Sequence, residues 1–205
     1  MTSVAIIDYG MGNLHSVSKA FEKVGAQVAI ISQPDEGSRF ERLVLPGVGS
    51  LGDCMKGLEE RGFCDWIRDW IASEKPFLGV CLGFQALFEA SEENDAKGLG
   101  VFSGKAERFN LPHEYKIPHM GWNAVKFTPT NGPMDLELIR SDQHQFYFDH
   151  SYYVIPSDLS IAWGETTHGD TFVSAVSSGR TFATQFHPEK SQAIGLQIYE
   201  NFLNV

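Results

Sequence analysis

Up to Ala90 the chain alternates between two hydrophobic patterns, short continuous apolar runs and longer stretches with an apolar residue every three or four positions. Val4-Ala5-Ile6-Ile7-Asp8 is a run of the first kind and ends in a glycine-containing turn, Tyr9-Gly10-Met11-Gly12-Asn13. A helix is predicted next, with Leu14, Val17, Ala20, Phe21 and Val24 on one face and Gly25 as its stop. Val28–Ile31 and Leu43–Leu45 predict the second and third strands. Pro46-Gly47-Val48-Gly49 breaks the pattern, and helical periodicity then continues to about Ser73. Phe77–Val80 predicts a fourth buried strand ending at Cys81, after which Leu82 to Ala90 reads as helix. Buried strands alternating with amphipathic helices imply a parallel sheet covered on both faces.

From about Gly98 to Gln185 the pattern changes to alternating apolar and aromatic positions. Turn signals punctuate it at Asn131-Gly132-Pro133, His168-Gly169-Asp170 and Ser178-Gly179, which predicts a mixed or antiparallel region on the same core. Ile194, Ile198 and Phe202 mark a C-terminal amphipathic helix. No repeat, linker or low-complexity tract interrupts the chain. The expected architecture is one α/β domain over residues 1–205, with a mostly parallel central sheet flanked by helices and an additional mixed or antiparallel sheet region in its second half.

Composition narrows the function classes. The chain has 205 residues and a formal net charge of −10, with no basic stripe, which argues against nucleic acid and anionic membrane surfaces as partners. No apolar run approaches the roughly 20 residues that span a bilayer. The N-terminal segment lacks a basic region and a small-residue cleavage site, so a cytoplasmic location is expected. Cys54, Cys64 and Cys81 have neither disulfide-framework nor CxxC zinc spacing, and each is read as a lone thiol. His119, His144 and His168 have no metal-ligand spacing, and no metal or cofactor is expected. Gly10-Met11-Gly12 is similar to the start of a dinucleotide fingerprint, but His15 stands where its third glycine belongs.

The most informative segment is Gly79-Val80-Cys81-Leu82-Gly83, a G-x-C-x-G placed between a strand and a helix. That is the thiol counterpart of the nucleophile elbow, where small flanking residues let the backbone pass close by. A helix N-terminus at this point would favour a thiolate, and the Leu82 N–H would face an oxyanion. The alternative is a small buried hydrophobe, the usual fate of a free cysteine and the expected one for Cys54 and Cys64 in their helices. A cysteine nucleophile needs a base. His187 follows the apolar run Thr181–Phe186 and precedes Pro188-Glu189. Pro188 biases His187 toward extended geometry, so Glu189, two residues on, lies on the same side and can orient the imidazole. Pro46–Gly49 closes another parallel strand at the same sheet edge, where its backbone N–H groups can serve as further oxyanion donors.

These segments, in this order, resemble the class I, or triad, glutamine amidotransferases. The resemblance covers nearly the whole chain, and it implies Cys81 as nucleophile, His187 as base and Glu189 as its orienter. It further implies Gly49 and Leu82 as the oxyanion hole, Gln85 as a substrate contact, and backbone at His150, Ser151 and Tyr152 as the holder of the glutamine α-amino and carboxylate groups. Asp8–Leu14, Pro118–Asn123, His150-Ser151-Tyr152 and Phe186–Ser191 are similar to a subgroup whose glutaminase feeds ammonia to a (β/α)8-barrel cyclase of histidine biosynthesis. For that subgroup Asn13, Met120, Trp122, Tyr147 and Lys190 are expected on the partner-facing side, and the barrel is expected as a separate polypeptide forming a heterodimer. Two other readings share these motifs: a glutaminase serving another synthase, such as that for pyridoxal phosphate, and a cysteine peptidase or esterase.

Overall fold

A computed structural model describes residues 2–128 and 145–205. The Asn131-Gly132-Pro133 turn and His144 therefore lie outside the described residues. In chain order the elements are β1 (Ser3–Ile7), α1 (Leu14–Lys23), β2 (Gln27–Ile31), α2 (Pro34–Gly37), β3 (Arg42–Gly47), α3 (Leu51–Glu60) and α4 (Phe63–Ala72). They continue with β4 (Phe77–Cys81), α5 (Leu82–Gln85), β5 (Phe88–Ser91), β6 (Ala96–Lys97), β7 (Phe102–Arg108), β8 (His119–Ala124) and β9 (Lys126–Phe127). The last are β10 (Gln145–His150), β11 (Tyr152–Pro156), β12 (Ala162–His168), β13 (Asp170–Ser178), β14 (Thr181–Thr184) and α6 (Gln192–Leu203).

Among the described residues, one sheet of 12 strands runs β2-β1-β3-β4-β14-β13-β11-β7-β5-β6, with β12 and β9 attached beside β13. β2, β1, β3, β4 and β14 pair in parallel, and β13, β11 and β7 continue the sheet with antiparallel pairing. The mixed second half is thus an extension of the same sheet. A separate hairpin-like pair, β8 with β10, adds a small antiparallel sheet.

The alternation of side chains along each strand sets the two faces of the core. Val4 and Ile6 of β1 pack with Val44, Leu78 and Val80 against α1 and α6, where Phe21 and Tyr199 stack at 4.2 Å. Ala5 and Ile7 face the other way, with Leu45 and Phe77, onto Leu58, Ile67 and Trp70 of α3 and α4. Each fully buried residue of this size contributes about 1.5–3 kcal/mol, so burial on both faces holds the sheet between its helices.

Three boundaries differ from the sequence pattern. β3 runs on through Pro46 to Gly47, because Pro46 and Gly47 pair with Val80 and Cys81. The helical stretch to Ser73 is two helices, since Gly62 adopts φ 72° between them. The helix expected over Leu82 to Ala90 ends at Gln85, and Phe88–Ser91 is a strand. There the carbonyls of Ala86 and Leu87 accept from the N–H groups of Leu99 and Val101 at 2.7 and 2.8 Å, and β5 pairs with β7. Tertiary pairing overrides the good helix propensity of Leu87-Phe88-Glu89-Ala90. Gly98 is required for this approach, because a Cβ on it would overlap the carbonyl oxygen of Phe88.

Candidate active site

Cys81 is the last residue of β4 and has φ 55° and ψ −105°, a conformation a side chain rarely adopts. Tight packing holds it there. A Cβ on Gly83 would overlap the carbonyl oxygen of Leu45, and one on Gly79 would stand 2.6 Å from the oxygen of Gly83. The two glycines of the G-x-C-x-G pattern therefore let α5 lie directly on β3 and β4. The helix that follows the nucleophile has only four residues. The macrodipole expected from the sequence is correspondingly reduced to that of a single turn.

His187 lies just past β14, beside β4 in the sheet, and its extended backbone (φ −100°, ψ 98°) accords with the influence of Pro188. Glu189 reaches it differently from the strand geometry expected. Residues Pro188–Lys190 form a 3₁₀ turn, which brings Glu189 Oε1 to 2.8 Å from His187 Nδ1. Glu189 is itself held from behind by the hydroxyl of Tyr199, 3.2 Å from Oε2. The histidine backbone is clamped at both ends: its N–H donates to the Tyr147 carbonyl at 2.9 Å, and its carbonyl accepts from Ser191 Oγ at 2.6 Å. Burial alone would push the imidazolium of His187 down; the facing Cys81 sulfur with its hydrogen bond and the Glu189 carboxylate outweigh burial and raise it. By contrast, burial pushes the Cys54 thiol up to about 12 and Cys64 to about 11, which leaves neither available as a nucleophile near neutral pH.

A cavity of about 290 Å³ opens over Cys81. Gly49, Leu82, Gln85, His150, Ser151, Tyr152 and His187 line it, with Gln85 Nε2 donating to the Tyr152 carbonyl at 3.0 Å. All the substrate and oxyanion residues expected from sequence thus meet at one hollow, with Glu189 behind His187. Gly49 takes φ 94°, which allows the loop after β3 to turn into the hollow. Val48 of the Pro46–Gly49 loop, Pro118, Glu93 and Asp149 complete the wall; Glu93 and Asp149 were not anticipated. No group of histidine, cysteine, aspartate or glutamate side chains with metal-holding geometry occurs among the described residues.

The five partner-side residues divide. Met120 and Trp122 of β8 are 60% and 45% exposed, and Trp122 pairs across the small sheet with Tyr147. Lys190 stands 5.4 Å from the Tyr147 ring, so these four form one patch. Asn13 is half-buried at the start of α1 and makes no side-chain cap there. Ser191, Tyr199 and Gln185 were missed as site residues. Gln185 had a legible signal, since it precedes His187 by two residues in an extended run; its side chain lies 3.7 Å from Cys81 Sγ. Tyr199 had none beyond its place on an apolar helix face.

The family described as "Glutamine amidotransferase class-I" matches residues 5–205. "Imidazole glycerol phosphate synthase subunit HisH" of Thermosynechococcus vestitus is 47% identical over 98% of this chain and 96% of its own. The protein of the same description from Rhodopirellula baltica is 46% identical over 97% of this chain and 96% of its own. Among solved structures, that of PurLQS from Thermotoga maritima superposes with a TM-score of 0.77 at 18% identity, over 99% of this chain and 98% of that one. The glutaminase domain of CTPS from Trypanosoma brucei, with bound acivicin, gives 0.65 at 15% identity over 100% of this chain and 94% of that one. These two likenesses are of fold.

Proposed function

The chain belongs to the class-I glutamine amidotransferases, and on that premise we propose that it is the glutaminase subunit of an imidazole glycerol phosphate synthase. The observation that carries this is the strained Cys81, His187 and Glu189 meeting at one cavity in a chain of this family, with full-length relatives of that description in the mid-forties of identity.

In this reading glutamine enters the cavity with its side-chain amide over Cys81. The thiolate attacks the amide carbon, and the backbone N–H groups of Leu82 and Gly49 hold the resulting oxyanion. His187 passes its proton to the amide nitrogen, the C–N bond breaks, and ammonia leaves a thioester on Cys81. Water, deprotonated by His187, then attacks the thioester and releases glutamate and the free thiol. Glutamine and water become glutamate and ammonia, and Glu189 keeps the imidazole in the required tautomer throughout. Gln85 and the backbone at His150, Ser151 and Tyr152 hold the amino-acid end of the substrate.

Ammonia made in this way is destined for a cyclase subunit, a (β/α)8 barrel. Pro118 and Asp149 bring the cavity wall to the edge of β8 and β10, and the exposed Met120 and Trp122 lie on that same small sheet. A cover on this face would keep ammonia from being protonated and diluted in water. Met120, Trp122, Tyr147, Lys190 and Asn13 are assigned to that face. No helix among the described residues is long and apolar enough to cross a membrane. We place the heterodimer in the cytoplasm, where a reducing medium keeps Cys81 a thiol.

The test is glutamine turnover by the purified chain with and without a cyclase subunit and its ribonucleotide substrate. Turnover should rise on mixing and vanish with Cys81→Ser, a loss of roughly 10⁴-fold or more. Turnover indifferent to the cyclase would remove the assignment of partner; full activity in Cys81→Ser would remove the mechanism.

A further inference from the structure

Gln185 is fully buried, and its amide faces the nucleophile with Nε2 3.7 Å from Cys81 Sγ. Which end of a glutamine amide is nitrogen has to be argued from its partners. Here the partners decide it. The main-chain carbonyl of Tyr152 can only accept, so the end of Gln85 that lies 3.0 Å from it is the NH₂ group. That nitrogen also lies 3.0 Å from the Gln185 amide, which must present its oxygen, Oε1. Gln185 is left with its own NH₂ aimed at sulfur.

The same carbonyl orders a second branch. His150 Nδ1 is 2.8 Å from Tyr152 O and carries the proton, so its Nε2 accepts from His119 Nδ1 at 2.9 Å. His119 Nε2 then accepts from Asn123 Nδ2 at 3.1 Å. Asn123 is fixed in turn, donating to Thr167 O at 2.9 Å and accepting from the Ala124 N–H at 2.8 Å. The sequence of donors requires both histidines to be neutral. Burial supplies that condition, pushing His119 down to about 4 and His150 to about 3. Every amide and tautomer from Asn123 to Cys81 is thereby set by main-chain groups.

We propose that Gln185 is a positioning residue for the nucleophile: it donates a hydrogen bond to the sulfur of Cys81 and is locked in the donating orientation through Gln85 and the Tyr152 carbonyl. The inference rests on the glutaminase reading and adds a residue to it. A donor aimed at sulfur favours the thiolate over the thiol. It supplies part of what the one-turn α5 is too short to give.

The test compares the full-length chain with Gln185→Met, which keeps length but has no donor, and Gln185→Asn, whose shorter amide withdraws from the sulfur. The readout is the rate of Cys81 alkylation by iodoacetamide as a function of pH, alongside melting temperature. At neutral pH alkylation should slow about tenfold, the scale of one hydrogen bond to a charged group, and its pH profile should move to higher pH. A packing role alone would lower the melting temperature and leave that profile in place. Folded variants with the unchanged profile overturn the proposal. Partner-stimulated turnover of the unmutated chain is the control: its absence strikes the glutaminase reading, whereas its presence with an unmoved profile strikes only Gln185. Should neither variant fold, the side-chain amide resonances of Gln185 in the unmutated chain decide. They should move when Cys81 is blocked by a methanethiosulfonate, and resonances that stay put overturn the assignment.

Discussion

The two sides of the cavity are built on opposite principles. On the nucleophile side, Cys81 is placed by backbone pressed against backbone: Gly83 on Leu45, Gly79 on Gly83, and Gly47 paired with Cys81 itself. On the other side, polar groups do the placing: Glu189, Tyr199, Ser191 and the Tyr147 carbonyl hold His187, and His150 of the cavity wall is held by His119 and the Tyr152 carbonyl. Close packing transmits volume changes steeply, because a dense interior has no slack. Hydrogen bonds transmit chemistry, because each depends on a protonation state and a donor direction. The first side should therefore fail by losing stability, and the second by losing rate.

The most severe test on the polar side is Glu189→Gln. It keeps the shape and loses the charge that orients His187, so turnover should drop about 10³-fold with the melting temperature nearly unchanged. A drop of less than tenfold would mean that the clamp by Ser191 and the Tyr147 carbonyl suffices without the carboxylate. Gly83→Ala probes the packed side. Its methyl group meets the carbonyl oxygen of Leu45, and unfolding by urea should show a loss of about 3 kcal/mol, at the upper end for overpacking. A stable Gly83→Ala protein with ordinary activity would show that α5 can shift away from β3, and the contrast drawn above would collapse.

Acid should strike the polar side. His119 and His150 have folded-state values of about 4 and about 3, below the unfolded value near 6.5. Between those limits the unfolded chain binds more protons than the folded one, so their contribution to stability is complete above about pH 6.5 and is lost as pH falls through about 4 and about 3. Melting temperature should decline over that window, and less steeply in a His119→Gln variant. An equal decline in both would assign the acid sensitivity elsewhere. The smallest effect is expected from Tyr199→Phe, which removes one of the partners of Glu189. Turnover should fall less than about tenfold, with a stability loss of about 1 kcal/mol by thermal melting.

Much of this molecule is legible along the chain. The two hydrophobic periods give the parallel strands, the amphipathic α1 and α6, and the change of character in the second half. Cys81 between its glycines and His187 before Pro188-Glu189 stand out for the same reason: local backbone geometry is written by neighbouring residues, and steric rules act over a few bonds. The end of α5 at Gln85 is not written there, because the carbonyls of Ala86 and Leu87 are claimed by residues 99–102 and only the folded sheet brings those together. Nor are the partners of the site. Tyr199 reaches Glu189 from α6, and Gln85 and Gln185 meet across β4 and β14, 100 positions apart in sequence. Such pairs depend on which strands lie side by side. Sequence alone thus fixed which residues could react, since reactivity resides in residue type and the turn that carries it. The tertiary structure decided how those residues are held, because a hydrogen-bond donor has direction only once both of its neighbours are in place.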